Sequence, residues 1–454
     1  MNRYSVASLV LAFLISVTYC PQIRAGLPEF QDELRQAEVL IQQGRQHGLQ
    51  YLSSKDKRSK KAAERALKVA ENQVKAVLKR SANCEKCHEL ITNANFLQAY
   101  FGFSKDYDDT IDSAKDGLQK FPNNGRLVYL LGYAEFNTGK FADANKSLKA
   151  ALLNADQNTA NEINAVLQKS QQAFLTGWNR HANFYQSNES RILRYNPSTY
   201  RYEVAFQVTP EFEYQLGAQG LMALMSNARP LNDPEIQQYV ENLVTRIVSK
   251  SPGSNFSYRV TIVDSDEVNA MTPPGYIVVS TGLLRFTENE AQLAGVLSHE
   301  LAHNYGHHQA RAFIKNYQAQ LLASAILGAI NSQNAAVQIL SSLGANVGLM
   351  LFSRAYSRFE EKEADHYGAH LMFNAGYSPL DASSFFLKMS QSGKKEPPKF
   401  LSTHPPSLDR ENYLMDYLES FPTEGREFRS DSEEFRKISA RLKQARPGRA
   451  LPIP

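Results

Sequence analysis

His299, Glu300 and His303 stand in the string His299-Glu300-Leu301-Ala302-His303, two imidazoles four residues apart with a carboxylate directly after the first. On a helix, positions i and i+4 share one face a turn apart, so both rings can reach a single metal ion. Glu300 then projects beside that ion, where it can take a proton from water and later pass it to a leaving amine. This is the chemistry of a zinc hydrolase. A mononuclear catalytic zinc takes three protein ligands and keeps one position open. Downstream, Phe359-Glu360-Glu361-Lys362-Glu363-Ala364-Asp365 offers Glu361 as the third ligand, with Asp365 one turn on to orient an imidazole N–H. Taken alone, an acidic run of this kind is more often a solvated helix face.

These groups need rigid carriers. Thr287-Glu288-Asn289-Glu290 reads as a capping box ahead of Leu293, Ala294, Val296, Leu297 and Leu301, which places His299, Glu300 and His303 on an amphipathic helix. A helix opens at Pro210 and runs through Met225. Asp233-Pro234 caps another, whose apolar stripe is Ile236, Val240, Leu243, Val244 and Ile247. Tyr258 to Val263 and Tyr276 to Ser280 are β-rich and predict a small sheet beside the metal-binding helix. The Tyr276 strand is expected to be its edge, where an extended peptide would pair by main-chain hydrogen bonds. The fold class is mainly α: a helical-repeat domain, then an α+β domain of zincin-like architecture.

Several motifs occur in a fixed order. Asn269-Ala270 leads into Pro274-Gly275-Tyr276-Ile277-Val278-Val279 and Thr281-Gly282-Leu283-Leu284. His299 to His303 follows, then Glu361-x-x-Ala364-Asp365, and last Thr403-His404-Pro405-Pro406 with Arg410. Over residues 205 to 418 the chain resembles the zinc metallopeptidase family of the CAAX prenyl protease, HtpX and BepA type. The resemblance implies one Zn2+ per chain, held by His299, His303 and Glu361, with Glu300 as general base. It implies that His404 lies over the zinc cleft as a fourth ligand, gate or oxyanion stabiliser, with Arg410 its neighbour in substrate or supporting contacts. It also implies quality control of misfolded or unassembled envelope proteins. The chain departs from many relatives in having a single glycine after Pro274. Its repeats also precede the peptidase region, whereas in BepA-type proteins they follow it.

Two prolines after His404 stiffen the backbone and keep the imidazole out of a helix. As a latch, His404 would occupy the metal's open position; as a stabiliser, it would donate to a developing oxyanion.

The remainder of the chain sets the context. At 454 residues, about three domain-sized units are expected. A net charge of +4 without an aromatic-interleaved basic patch speaks against nucleic acid as a partner. Met1-Asn2-Arg3 followed by apolar residues to Val17 reads as a signal peptide, residues 1 to 25, not as a spanning helix. Tyr19 before Cys20 disfavours lipid attachment. Export, to the periplasm and in contact with the outer membrane, is the expectation. Cys84-Glu85-Lys86-Cys87-His88 is the attachment pattern of haem c with His88 as axial ligand, and equally that of a small disulfide or redox pair.

A shift of 34 residues aligns Leu97 with Leu131, Tyr107 with Phe141, Thr110 with Ala144 and Gly117 with Ala151. This is the tetratricopeptide period, with repeats at about 91 to 158 inside a helical domain spanning 27 to 178; a generic helical bundle is the alternative. Residues 179 to 204 read as linker, 205 to 420 as the metallopeptidase domain, and 421 to 454 as a C-terminal helix and tail. Between Asn316 and Ser353 there is no charged residue. Interspersed Asn, Gln, Ser and Gly there favour two buried or cleft-covering helices over a span, with contact at a membrane surface the other reading. Partners are therefore unfolded or misassembled proteins and proteins held by the repeats. The competing class is a helical-repeat adaptor or chaperone with a latent metal site.

Overall fold

The computed structural model describes residues 28–153, 155–251, 256–316, 355–390, 400, 404 and 410–444. The signal-like segment, Cys20, almost all of the charge-free stretch and the last ten residues fall outside them. The chain divides into two compact units, Met1–Thr176 with Glu419–Pro422, and Gly177–Leu418 with Thr423–Pro454.

The first unit is a succession of helices: α1 (Gln31–Ser54), α2 (Lys57–Arg80), α3 (Glu85–Tyr100), α4 (Asp108–Lys120), α5 (Gly125–Asn137), α6 (Phe141–Leu152) and α7 (Gln157–Thr176). Lys55, in the left-handed region at φ 56°, ends α1, and the Asp56 carboxylate starts α2 by accepting from the Arg58 and Ser59 N–H groups. Gly44 lets the pair close, because a Cβ there would stand 2.6 Å from Leu67 Cγ. Residues matched by the 34-residue shift take corresponding places: Leu97 and Leu131 are buried in α3 and α5, Thr110 and Ala144 in α4 and α6.

Cys84 and Cys87 are joined as a disulfide at the start of α3, both sulfurs buried. This corrects the haem c alternative, since sulfurs bonded to each other have no valence left for thioether links. His88 is buried against Phe121, ring centroids 5.9 Å apart, and Gly117.

Burial raises the Glu135 carboxyl to about 7, despite a hydrogen bond from Ser147 Oγ at 2.8 Å. A carboxyl raised in the folded state loses stability as pH climbs from its unfolded value to its folded one, and the cost is constant above that. Glu135→Gln keeps the hydrogen-bonding shape and removes the charge. Expected is a stabilisation of roughly 1–3 kcal/mol at pH 8 and little change at pH 4.5, checked by denaturant melts of the full chain at both pH values.

The second unit opens with the stretch expected to be linker, which is folded. Phe184 is buried, and β1 (Arg191–Asn196) pairs antiparallel with β2 (Arg201–Gln207), with a bulge between Ile192 and Leu193. Ile192 and Phe206 anchor the hairpin in a core with Phe184, Val208, Phe212 and Phe313. Helices α8 (Pro210–Met225) and α9 (Pro234–Ser249) follow. The latter is capped by Asp233 and buries the five apolar residues named from the sequence.

Three strands form the sheet: β3 (Arg259–Val263), β4 (Ala270–Met271) and β5 (Tyr276–Ser280), in the order β3-β5-β4. The Tyr276 strand is therefore central, not the edge. It pairs parallel with β3 along its length and antiparallel with β4 through Val278 and Val279. Ile277, Val278 and Val279 are all buried, as an uninterrupted apolar run in a central strand should be. β3 and the short β4 are the edges.

After α10 (Thr281–Phe286), helix α11, which carries His299, Glu300 and His303, spans Glu290–Tyr305. Its N-cap is Asn289, whose side chain accepts from the Gln292 N–H, and not Thr287, whose hydroxyl is turned back onto the Leu283 carbonyl. Every residue of α11 is buried, so it is a central helix and not an amphipathic one. At its start Glu290 accepts from Tyr239, Tyr377, Arg246, Arg429 and Ser432. Helices α12 (Arg358–Ala375), α13 (Leu380–Ser390), α14 (Arg410–Leu418) and α15 (Glu433–Gln444) complete the unit. A capping box does occur, on α12, where Ser357 and Glu360 satisfy each other's backbone N–H groups.

Candidate metal centre

The helical period puts His299 and His303 on one face of α11, with Nε2 atoms 3.3 Å apart. Glu361, in the first turn of α12, brings Oε2 to 3.6 Å from His299 Nε2 and Oε1 to 3.5 Å from His303 Nε2. Donors around a tetrahedral zinc, each about 2.0–2.1 Å from the metal, stand roughly 3.3 Å from one another. Three of the four corners of such a site are thus in place. The donor set, two imidazoles and one carboxylate, is one that zinc accepts.

All three side chains are buried. Burial holds the His303 imidazole well below its ordinary range. Burial acts upward on Glu361, but the charge on His404 and the contacts with His303 and His404 outweigh it, leaving the carboxylate well below the usual range. Neutral imidazole and ionised carboxylate are the ligand forms.

The surrounding groups orient the ligands. Asp365 Oδ1 lies 2.9 Å from His299 Nδ1, and its other oxygen accepts from the Tyr413 hydroxyl at 2.5 Å. This puts the His299 Nδ1 on a carboxylate and leaves Nε2 turned to the cluster. Gly368 keeps α12 close to α11, since a Cβ there would stand 3.2 Å from the His299 backbone.

Glu300 is buried on the same side, where its Oε2 accepts from the Thr272 hydroxyl at 3.1 Å, just beyond the β4 edge. His404 reaches the cluster as well. Its Nδ1 lies 3.2 Å from His299 Nε2 and 2.8 Å from Glu361 Oε1, and its Nε2 lies 3.1 Å from Glu300 Oε1. Burial acts downward on this imidazole, yet the Glu361 and Glu300 charges raise it to about 9. Its ring stacks on Phe400 at 4.3 Å. Donor atoms of His299, His303, Glu361 and His404 all fall within 4.8 Å of one another. Arg410 is the first residue of α14, and its side chain lies outside the described residues.

Some groups at the site carry little sequence signal. Tyr356 stacks on His303 at 3.7 Å between centroids, and His308 and Glu363 back the same ring. The adjacent pair His307-His308 was the visible hint, but its meaning depends on how the chain turns after α11.

Residues 230–417 match Peptidase family M48. The chain is 30% identical over 203 residues to the beta-barrel assembly-enhancing protease of Escherichia coli strain K12, covering 42% of this chain and 41% of that protein. It is 35% identical over 160 residues to the mitochondrial metalloendopeptidase OMA1 of Arabidopsis thaliana, covering 35% of this chain and 31% of that one. To the OMA1 metalloendopeptidase of Bos taurus it is 28% identical over 218 residues, covering 46% of this chain and 42% of the relative. The chain thus spans less than half the length of these curated relatives. These three relatives are a protease and two metalloendopeptidases by name, and the matched family segment holds the whole cluster built from α11, α12 and His404. Residues 230–417 of this chain are thus similar to the metallopeptidases of family M48.

Proposed function

We propose that this chain is a zinc-dependent endopeptidase, with His299, His303 and Glu361 holding the metal and Glu300 acting as general base. The observation that carries this reading is the pair of imidazole Nε2 atoms 3.3 Å apart, each faced by one Glu361 oxygen at 3.5 or 3.6 Å, beside a buried glutamate. Zinc bound there would supply a polarising charge and lower the pKa of a water in its open position. The residues do the rest. Glu300 takes a proton and returns it to the leaving amine, held in line by Thr272. The β4 edge beside Thr272 offers main-chain groups to an extended substrate.

The setting we propose is the cell envelope, with unfolded or misassembled envelope proteins as substrates. The signal-like N-terminus and the Cys84–Cys87 disulfide support export to an oxidising compartment. The similarity to a beta-barrel assembly-enhancing protease supports the substrate class. The helices of the first unit, in tetratricopeptide register, would recruit clients or a partner complex. Among the described residues, no helix is long and apolar enough to cross a membrane.

His404, seated on both Glu361 and Glu300, favours an enzyme whose activity is conditional over one that is always open. Cleavage of a denatured protein by the full chain should be abolished by a chelator and restored by zinc. Cleavage indifferent to chelation, or none even when His404 is replaced by alanine, would overturn the reading in favour of a binding protein.

A further inference from the structure

Directly after α11 the chain makes a turn that few sequences can make. Gly306 caps the helix, and a Cβ on it would stand 2.4 Å from the His308 ring. His307 adopts φ 52°, a left-handed conformation costly for a residue with a side chain. Its ring is clamped by Glu213 Oε2 at 2.7 Å and by Phe184, whose ring is stacked at 4.2 Å. The result of this local strain is that His308 folds back beneath the metal cluster.

There its Nδ1 meets His303 Nδ1 at 2.7 Å, and its Nε2 meets Glu363 Oε2 at 3.1 Å. His308 is fully buried and Glu363 nearly so. Glu363 also accepts from Arg311 Nη1 at 2.9 Å, Arg180 Nε at 2.8 Å and Tyr367 Oη at 3.2 Å. Two guanidiniums on one carboxylate leave no charge there for a second metal. They leave an ionised group that can only accept.

We propose that His308, held by Glu363, is a positioning residue that fixes His303 in the tautomer and orientation needed to bind the metal. It rests on the metal reading of the site given above. Glu363 accepts, so His308 Nε2 donates, and His308 Nδ1 is left with a lone pair. His303 Nδ1 then donates to it, which leaves His303 Nε2 bare and facing His299 and Glu361. The two histidine ligands are therefore oriented differently: His299 by a carboxylate directly, His303 through an intervening imidazole. The second arrangement keeps the negative charge of Glu363 one ring further from the metal.

The measurement is zinc affinity, read by competition with a chromophoric chelator on the full chain carrying Glu300→Gln, so that self-cleavage does not intervene. His308→Phe keeps a buried ring and removes the acceptor. His308→Asn puts an acceptor oxygen back near the Nδ1 position. Expected is a loss of about 10- to 100-fold in affinity for His308→Phe, with His308→Asn closer to the parent. Metal-free unfolding is followed in parallel through Trp178, the chain's one tryptophan, which packs on Tyr367 and His370 in the same unit. A merely structural His308 would lower that stability in both variants and leave zinc affinity unmoved. If His308→Phe does not fold, Glu363→Gln takes its place and should also bind zinc more weakly. Parent-like affinity in the acceptor-less variant, or no recovery by His308→Asn, overturns the proposal. A parent that binds no zinc overturns the metal reading itself, and is seen before any variant is made.

Discussion

Glu300→Gln is expected to keep its metal and to lose turnover of unfolded substrates by about 10²- to 10⁴-fold, the usual contribution of a general base. The amide has the shape of the carboxylate and can still accept from the Thr272 hydroxyl, so packing around this buried position should hold. What it lacks is basicity. Glu300 is not one of the residues whose donor atoms cluster here, His299, His303, Glu361 and His404, and metal content should therefore be unchanged. Initial rates on a denatured protein, with metal content measured on the same preparation, check both halves. A variant that cleaves at the parent rate would remove Glu300 from the mechanism.

His404→Ala is expected to raise basal cleavage by about tenfold or more. The sequence left two roles for this imidazole, latch and oxyanion stabiliser. The geometry favours the latch. Nδ1 sits against His299 Nε2 and Glu361 Oε1, where the fourth corner of the site belongs, and Nε2 sits against Glu300. One ring thus covers the position of the attacking water and engages the base that would activate it. If the open form is a minor state of about 10% or less, removing the latch makes it the main state, and the rate rises in proportion. A drop in turnover with unchanged substrate binding would instead assign His404 to the oxyanion.

The parts of the site that could be read in advance are those written at helical spacing. His299 with His303, and Glu361 with Asp365, each lie one turn apart on one element, so local periodicity suffices to bring them together. The apolar stripe of α9 was legible for the same reason. Strand order was not, because nothing local in Tyr276 to Ser280 says which neighbours it will have. Its unbroken apolar run, Ile277-Val278-Val279, was the available sign of a central place. The β1–β2 hairpin was hidden by Asn, Ser and Arg content, although Leu193 and Tyr195 alternate with polar residues opposite Val204 and Tyr202. The cap of α11 fell two residues later than the Thr287 pattern suggests, because the Thr287 hydroxyl is already engaged with the Leu283 carbonyl. His308 was illegible for a geometric reason: it reaches His303 only through a left-handed turn.

The carboxylate at the head of α11 bears on where this protein may be cut. The match to the family model ends at residue 417. Yet Glu290 draws donors from Arg429 and Ser432, and its own N–H is received by Asp431. Helix α15 adds Phe435, Ile438 and Leu442 to the core around α11. A recombinant fragment trimmed to the matched segment would strip donors from a buried anion, at about 1–3 kcal/mol for each partner lost, and open that core. The segment matched by the family model is thus shorter than the folded unit that holds it, whose core includes Phe435, Ile438 and Leu442.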